Sequence, residues 1–322
     1  MRGILIKRYG GSEVLEYGEL PDPKPGSGEA LIRVHVAGVN FTDVYQRTGV
    51  YPGTLPFTPG VEAVGTVEAL GAGVTDLSVG DRVGWVMLKG SYAELAVIPA
   101  DRLLPIPASI DDRTAAAILL QGMTAHFLLR DCYHVAKGEW ILIHAAAGGV
   151  GLLMTQIAHR IGARIIGTTS TEEKAALARD AGADEVVLYT QEDFQQAARR
   201  ITGGAGVSVV YDSVGKTTFD KSLDSLRARG YMVLFGASSG AVPPLDPQVL
   251  NRKGSLYLTR PTLGNYIVTR EELLGRATEL FDWVSKGELG VRAEHDYPLA
   301  NAAQAHDAIE GRRTTGKILL TV

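Results

Sequence analysis

The sequence predicts an α/β protein in which a β-rich unit is interrupted by a doubly wound parallel sheet. Three observations carry that prediction. Short strands punctuated by turns fill residues 1–110, strands and helices alternate over 111–261, and a mixed tail after Pro261 abandons the alternation. At roughly 150 residues per domain, a chain of 322 residues implies two domains, each able to bury its own core.

In the N-terminal part, Ile32, Val34 and Val36 alternate with Arg33 and His35, the period-two pattern of a half-buried strand. Residues 21–29, PDPKPGSGE, form a loop, because proline fixes φ and glycine admits positive φ. GVEAVGTVEAL at 60–70, VGDRVGW at 79–85 and SYAELAVIPADRLLPIP at 91–107 continue a barrel-like all-β pattern. Residues 110–135 have helical composition and open on Asp111 and Asp112, acidic residues suited to a helix N-terminus.

The alternation then begins. Strands are predicted at 139–145, 163–169, 184–189, 207–215 and 231–240, with helices at 148–162, 171–182, 193–202 and 217–230 between them. Continuous Val/Ile runs between amphipathic helices mark a parallel sheet buried on both faces. The tail predicts a helix over 269–286, a strand at 294–297, a helix at 299–310 and a last strand, GKILLTV. Most simply, it rejoins the N-terminal unit.

A formal charge of -4, with 45% hydrophobic and 21% charged residues, is the balance of an ordinary globular protein. The single cysteine, Cys132, excludes an intramolecular disulfide and a four-cysteine zinc lobe, and suits a cytoplasmic, reducing setting. The longest apolar stretch, residues 115–120, is far short of the ~20 residues a membrane span needs. The N-terminal MRGILIKRYGG is too briefly apolar and too soon charged for a signal peptide. Mild acidity, without a basic stretch interleaved with aromatics, argues against nucleic acid as the main partner.

WILIHAAAGGVGLLMTQIA at 140–158 is the strongest single motif: a buried strand, a run of small residues and a helix in series. Aligned as AxxGxxG, Ala145, Gly148 and Gly151 take the small positions. Small residues there let the backbone approach a pyrophosphate and the helix pack on the strand, while the helix N-terminus faces the anion. The following strand ends in Thr168, Thr169, Ser170 and Thr171, with Lys174 beyond and no carboxylate at the tip. An NAD-specific site usually carries Asp or Glu there for the ribose 2′-hydroxyl. Hydroxyls and an ammonium suit a 2′-phosphate instead, so the expected cofactor is NADPH.

Taken together, GVNFTDVYQRTGVYP (38–52), PFTPGVEAVGTVEALGAGV (56–74), GDRVGW (80–85), LLQGMTAHFLL (119–129), HAAAGGVG (144–151), VVYDSVG (209–215), KGSLYLTRPTLGNYI (253–267) and EGRRTTGKILLTV (310–322) span the chain. The combination resembles the zinc-free quinone oxidoreductase branch, including the zeta-crystallin-like enzymes, of the medium-chain dehydrogenase/reductase superfamily. That resemblance implies a GroES-like catalytic domain, 1–122 plus 262–322, interrupted by a Rossmann NADPH-binding domain at 123–261. Zinc relatives hold their metal through a cysteine, a histidine beside a glutamate, and a second cysteine. The matching positions here are Asn40, Val61 with Glu62, and Gln121, which lack the thiolates and imidazole that Zn²⁺ prefers. Seven histidines remain, none at ligand spacing, so no metal site is expected.

The resemblance also implies residue roles. Asn40 and Tyr45 are expected to face the cofactor and Tyr51 the substrate, with Tyr51 and Asn40 the catalytic candidates. Thr124 would reach the nicotinamide region. Gly148, Gly149, Val150 and Gly151 would hold the pyrophosphate. Ser170, Lys174, Tyr189 and Arg312 would form the 2′-phosphate and adenine pocket. Ser213, Phe235, Gly236, Ala237 and Ser238 would lie at strand ends over the dinucleotide, with Leu258, Thr259 and Arg260 closing on the nicotinamide. Asp43 and Glu62 are either proton donors or buried carboxylates paired with Arg47 or Arg82.

Without a Lewis acid, alcohol oxidation lacks the group that polarises the carbonyl, whereas an electron-poor acceptor takes hydride with less help. NADPH-dependent quinone reduction is therefore the expected activity. Reduction of an α,β-unsaturated carbonyl compound is the alternative, and RNA binding, known among zeta-crystallin-like proteins, is a reading from another class. Family members are commonly dimers; YMVLFGAS at 231–238 and GSLYLTRP at 254–261 are candidate edge elements for a homodimer.

Overall fold

The structure, a computed structural model, describes residues 1–311 and 314–322. It divides into two compact units, Met1–Met123 with Ile267–Val322, and Thr124–Tyr266.

The first unit opens with β1 (Arg2–Leu5), β2 (Glu16–Glu19), β3 (Glu29–Val39) and α1 (Phe41–Arg47). It continues through β4 (Glu62–Leu70), β5 (Arg82–Val86), β6 (Leu95–Pro99), β7 (Leu104–Pro105) and α2 (Asp112–Phe127), whose C-terminal end enters the second unit. The second unit runs β8 (Trp140–Ile143), α3 (Gly149–Ile161), β9 (Arg164–Thr169), α4 (Glu172–Asp180), β10 (Glu185–Leu188) and α5 (Phe194–Ile201). It ends with β11 (Val207–Asp212), α6 (Phe219–Ser225), β12 (Leu226–Leu234), α7 (Gln248–Arg252) and β13 (Tyr257–Thr259). The tail returns to the first unit as α8 (Arg270–Ser285), β14 (His295–Pro298), α9 (Ala302–Glu310) and β15 (Ile318–Thr321).

The two sheets differ as the sequence patterns require. The second unit holds a six-stranded parallel sheet in the order β10-β9-β8-β11-β12-β13, the doubly wound arrangement. The first unit's main sheet runs β14-β15-β3-β4-β5-β7, with β6 on β3, and every ladder except β14–β15 is antiparallel. Alternate residues Ala30, Ile32 and Val34 of β3, and Ala37 and Val39 beyond a register shift, enter a core that also takes Trp85, Tyr92 and Leu320. The sheet of the second unit is covered by Phe194, Phe219 and Leu223, packed against Leu142, Ile166 and Val210. The tail rejoins the first sheet because β15 pairs with β3 from Val36 to Val39.

Several expectations need correction. The helix read over 110–135 is α2 followed by a separate π-helical turn, Leu128–Cys132. The helix read over 217–230 stops at Ser225, where Leu226 pairs with Val207 of β11 and Arg229 takes φ 60°, outside helical space. YMVLFGAS is not an edge element, because β12 lies between β11 and β13; the edge strands are β10 and β13, the latter within GSLYLTRP. The hairpin β1–β2 was not anticipated; its second strand is exposed throughout and carries no alternation to read.

Candidate functional site

At the C-terminal end of β8 the chain turns through Ala145, at φ 52°, into the glycine loop. Gly148 is the N-cap of α3, and Gly149, Val150 and Gly151 form its first turn, whose N–H groups face outward from the helix end. A Cβ on Gly151 would overlap Ala145 O and stand 2.8 Å from the Ala146 Cα, so only glycine lets α3 start this close to the strand. This cradle fits a dinucleotide pyrophosphate.

The end of β9 is hydroxyl-rich. Thr168 and Thr169 are buried and Ser170 is half-buried. Thr171 caps α4 by accepting from the Lys174 N–H at 3.3 Å, which places the half-buried Lys174 in the first helical turn. Tyr189, exposed, follows β10 and is held against the same strand end by its N–H to Thr169 O (3.1 Å). Glu172 points to Arg179, leaving the tip of β9 without a carboxylate of its own. Ser170, Lys174 and Tyr189 thus share one corner, whereas Arg312 lies outside the described residues.

The ends of β11 and β12 are tied by Asp212. Its main-chain oxygen accepts from the N–H groups of Phe235 (2.9 Å) and Gly236 (3.3 Å). Ser213 O accepts from Ser238 N (3.1 Å), and a Cβ on Gly236 would stand 2.8 Å from the Ser213 Cα. Ser213, Phe235, Gly236, Ala237 and Ser238 therefore form one close-packed turn beside the glycine loop's strand. Leu258 and Thr259 sit on β13 and Arg260 just beyond it. Thr124, half-buried, opens the second unit on α2.

In the first unit the candidates gather around α1. Tyr45 and Tyr51 meet edge to face at 5.1 Å, and Tyr51 remains 41% exposed. Asn40 is buried at the N-cap of α1, where its N–H donates to Asp43 Oδ2 (2.8 Å). Its side chain is engaged at both ends: Nδ2 donates to Glu62 Oε1 (2.8 Å) and Oδ1 accepts from Lys317 Nζ (2.8 Å). Lys317 also closes an ion pair with Glu62, and both are essentially inaccessible. Glu62 Oε2 accepts from the Leu120 N–H (2.8 Å), next to buried Gln121. Asn40 and Glu62, from the positions matching a zinc ligand set, are thus tied to each other and to the Lys317 ammonium.

Lys317 escaped sequence reasoning. The β3–β15 register, Val39 opposite Ile318, delivers it beside Asn40, and Gly38 makes the room, since a Cβ there would overlap Glu62 and Lys317 Cε. A lysine leading an otherwise apolar final strand was the available signal. The pairing expected for Glu62 is corrected accordingly: its partner is Lys317, while Arg82 bonds Asp112 and Arg47 bonds Glu310.

Asp43 heads a second buried chain. Tyr92 OH donates to Asp43 Oδ2 (3.2 Å) and contacts His306 Nε2 (3.2 Å), and His306 Nδ1 faces Arg47 Nη1 at 3.3 Å. Burial, only partly offset by the Asn40 N–H and Lys317, pushes the Asp43 carboxyl up to about 7. Burial and then the Arg47 charge pull His306 down to about 3.

Comparison with known proteins follows the same outline. Residues 26–108 match the family described as alcohol dehydrogenase GroES-like domain, and residues 149–280 match zinc-binding dehydrogenase. The chain is 45% identical to quinone oxidoreductase of Pseudomonas aeruginosa over 319 residues, covering 98% of each. It is 42% identical to 2-haloacrylate reductase of a Burkholderia species, covering 98% of this chain and 97% of that one. The structure of Escherichia coli quinone oxidoreductase complexed with NADPH superposes with a TM-score of 0.97 at 43% identity, covering all of both chains.

Proposed function

Because the chain belongs to the quinone oxidoreductase branch of the medium-chain dehydrogenase/reductase superfamily, we propose that it is an NADPH-dependent quinone oxidoreductase. The observation that carries this reading is the glycine cradle of 148–151 beside a strand end of hydroxyls and one ammonium. Gly148, Gly149, Val150 and Gly151 would hold the pyrophosphate with main-chain N–H groups. Ser170, Lys174 and Tyr189, with Arg312, would take the 2′-phosphate and adenine. Ser213, the turn at 235–238 and Leu258, Thr259 and Arg260 would line the dinucleotide further along the strand ends, with Thr124 and Tyr45 toward the nicotinamide.

The bound dinucleotide supplies the hydride. The chain's own residues orient the acceptor and stabilise the charge that develops on its oxygen. Asn40 can do so with its second Nδ2–H, whose contact in the fold, 3.4 Å to Gly38 O, is long enough to be exchanged for a stronger acceptor. Lys317, bonded to Asn40 Oδ1, draws electron density from the amide and strengthens that donor. Tyr51, with its exposed ring against Tyr45, offers an aromatic face and a hydroxyl to a flat quinone. Solvent supplies the proton that completes the hydroquinone.

The likeness to 2-haloacrylate reductase supports a second reading, reduction of an activated carbon–carbon double bond at the same site. Steady-state assays with NADPH against 1,4-benzoquinone, 9,10-phenanthrenequinone and an enone separate the two. Turnover of the quinones upholds the first reading; failure on both quinones with good enone turnover replaces it with the second. The exposed β13 edge, with Tyr257 and Leu258 outward, supports a homodimer, and the single cysteine suits the cytoplasm.

A further inference from the structure

The C-terminal ends of three neighbouring strands carry the proposed dinucleotide contacts, yet the main-chain ladder stops short of them. The last paired residues are Ile143 with Gly167 between β8 and β9, and Tyr211 with Ile143 between β11 and β8. Beyond that row, single bonds continue from His144 N to Tyr211 O and from Ala146 N to Thr168 O, each 3.1 Å. A chain of buried side chains then crosses the strands. His144 Nδ1 meets Thr168 Oγ1 at 2.9 Å, His144 Nε2 meets Ser222 Oγ at 2.9 Å, and Ser222 Oγ donates to Asp212 Oδ2 at 3.0 Å. His144, Thr168, Ser222 and Asp212 are all buried.

The chain has one allowed direction. Asp212 accepts from Val214 N (2.7 Å), Gly215 N (2.9 Å), Thr218 Oγ1 (2.7 Å) and Ser222 Oγ, so it is the acceptor of the whole set. The single proton of Ser222 is spent on Asp212, so His144 must donate through Nε2–H. Its Nδ1 is then bare and takes the Thr168 hydroxyl proton. Burial holds the imidazole below its ordinary range, against the opposing pull of Asp212, which keeps that Nδ1 lone pair in place.

We propose that His144 is a positioning residue for the NADPH site: the chain Thr168–His144–Ser222–Asp212 sets the spacing of the β9, β8 and β11 ends. Three of its four members, all but Ser222 of α6, stand at the root of one proposed contact each. Thr168 precedes Ser170 by two residues, His144 leads directly into the glycine loop, and Asp212 precedes Ser213. The inference rests on the NADPH reading above and adds the device that keeps the three contacts in register.

The test is direct NADPH titration by nicotinamide fluorescence, with no acceptor present, on proteins shown by circular dichroism to be folded. His144→Phe keeps the ring and its edge contact with Phe194 but loses both hydrogen bonds. About tenfold weaker NADPH binding is expected, with the KM for quinone unchanged. Thr168→Val and Ser222→Ala, milder cuts in the same chain, should weaken binding in the same direction, and they carry the test if His144→Phe does not fold. His144→Gln, which can accept through Oε1 and donate through Nε2, should recover part of the loss. The double variant His144→Phe/Thr168→Val should be no worse than His144→Phe. Folded variants that bind NADPH as the wild type does would overturn the inference, as would fully additive losses or an equal rise in the quinone KM. A wild type that does not bind NADPH overturns the reading beneath it.

Discussion

Gly38 is the residue on which the first unit's polar centre turns: it leaves the space in which Glu62 and Lys317 pair. Removing one member of such a pair strands a charge in the core, whereas removing both does not. Lys317→Met should therefore cost about 3–5 kcal/mol, and Glu62→Gln/Lys317→Met much less, read as thermal midpoints of the two proteins. On the cofactor side, Thr169 is buried and Ser170 is the half-buried residue at the strand tip. A carboxylate at Ser170 would repel a 2′-phosphate and accept from a 2′-hydroxyl. Ser170→Asp should lower the NADPH/NADH ratio of kcat/KM by about tenfold or more, and an unchanged ratio would remove Ser170 from the pocket. The sequence made Ser170 and Lys174 visible because they follow a strand at a motif distance. Lys317 was hidden because its partners lie 255 and 277 residues away, and only strand pairing brings them together.

Among the elements, α1 and α9 are joined by the Asp43–Tyr92–His306–Arg47 chain, and its two unusual titrations oppose each other. Asp43, raised from 3.8 to about 7, contributes stability that is complete below pH 3.8 and is lost as pH rises toward 7. His306, lowered from 6.5 to about 3, contributes stability that is complete above pH 6.5 and is lost as pH falls toward 3. Across the shared window the slopes cancel. Asp43→Asn leaves the histidine unopposed, so its unfolding free energy in urea should fall by about 1 kcal/mol per pH unit on acidification from 6.5 to 4.5, more steeply than in the wild type. Equal slopes in the two proteins would count against this balance. Such ties were invisible to periodicity, which reads faces rather than partners. The same limit explains the misplaced end of α6: the residues at 226–230 are set by pairing with Val207, not by their own helical composition.

The order of secondary structure across the whole molecule was readable because strand–helix alternation and period-two patterning are properties of contiguous segments. The sheet edge was legible only in part, since which strand lies outermost depends on crossover order: GSLYLTRP carries the exposed edge strand β13, whereas YMVLFGAS, although apolar, forms the interior β12. Tyr257 on that edge is half exposed and stacks on Tyr231 at 4.4 Å, an apolar rim with unpaired main-chain groups outward. Tyr257→Lys should shift the proposed dimer toward monomer, measured by sedimentation equilibrium, with the far-ultraviolet spectrum unchanged. A dimer that persists undiminished would move the interface elsewhere.

The ammonium of Lys317 also sets the terms for anyone who would engineer this scaffold as a metalloenzyme. Installing Cys at Asn40 and Gln121 and His at Val61 would restore a ligand set by type. It would do so within hydrogen-bonding reach of a buried cation already committed to Glu62. A divalent ion would enter against that charge, so such a triple substitution should capture zinc only after Lys317 is neutralised as well. The lysine's positive charge holds the fold's polar centre together and would oppose a divalent ion placed beside it.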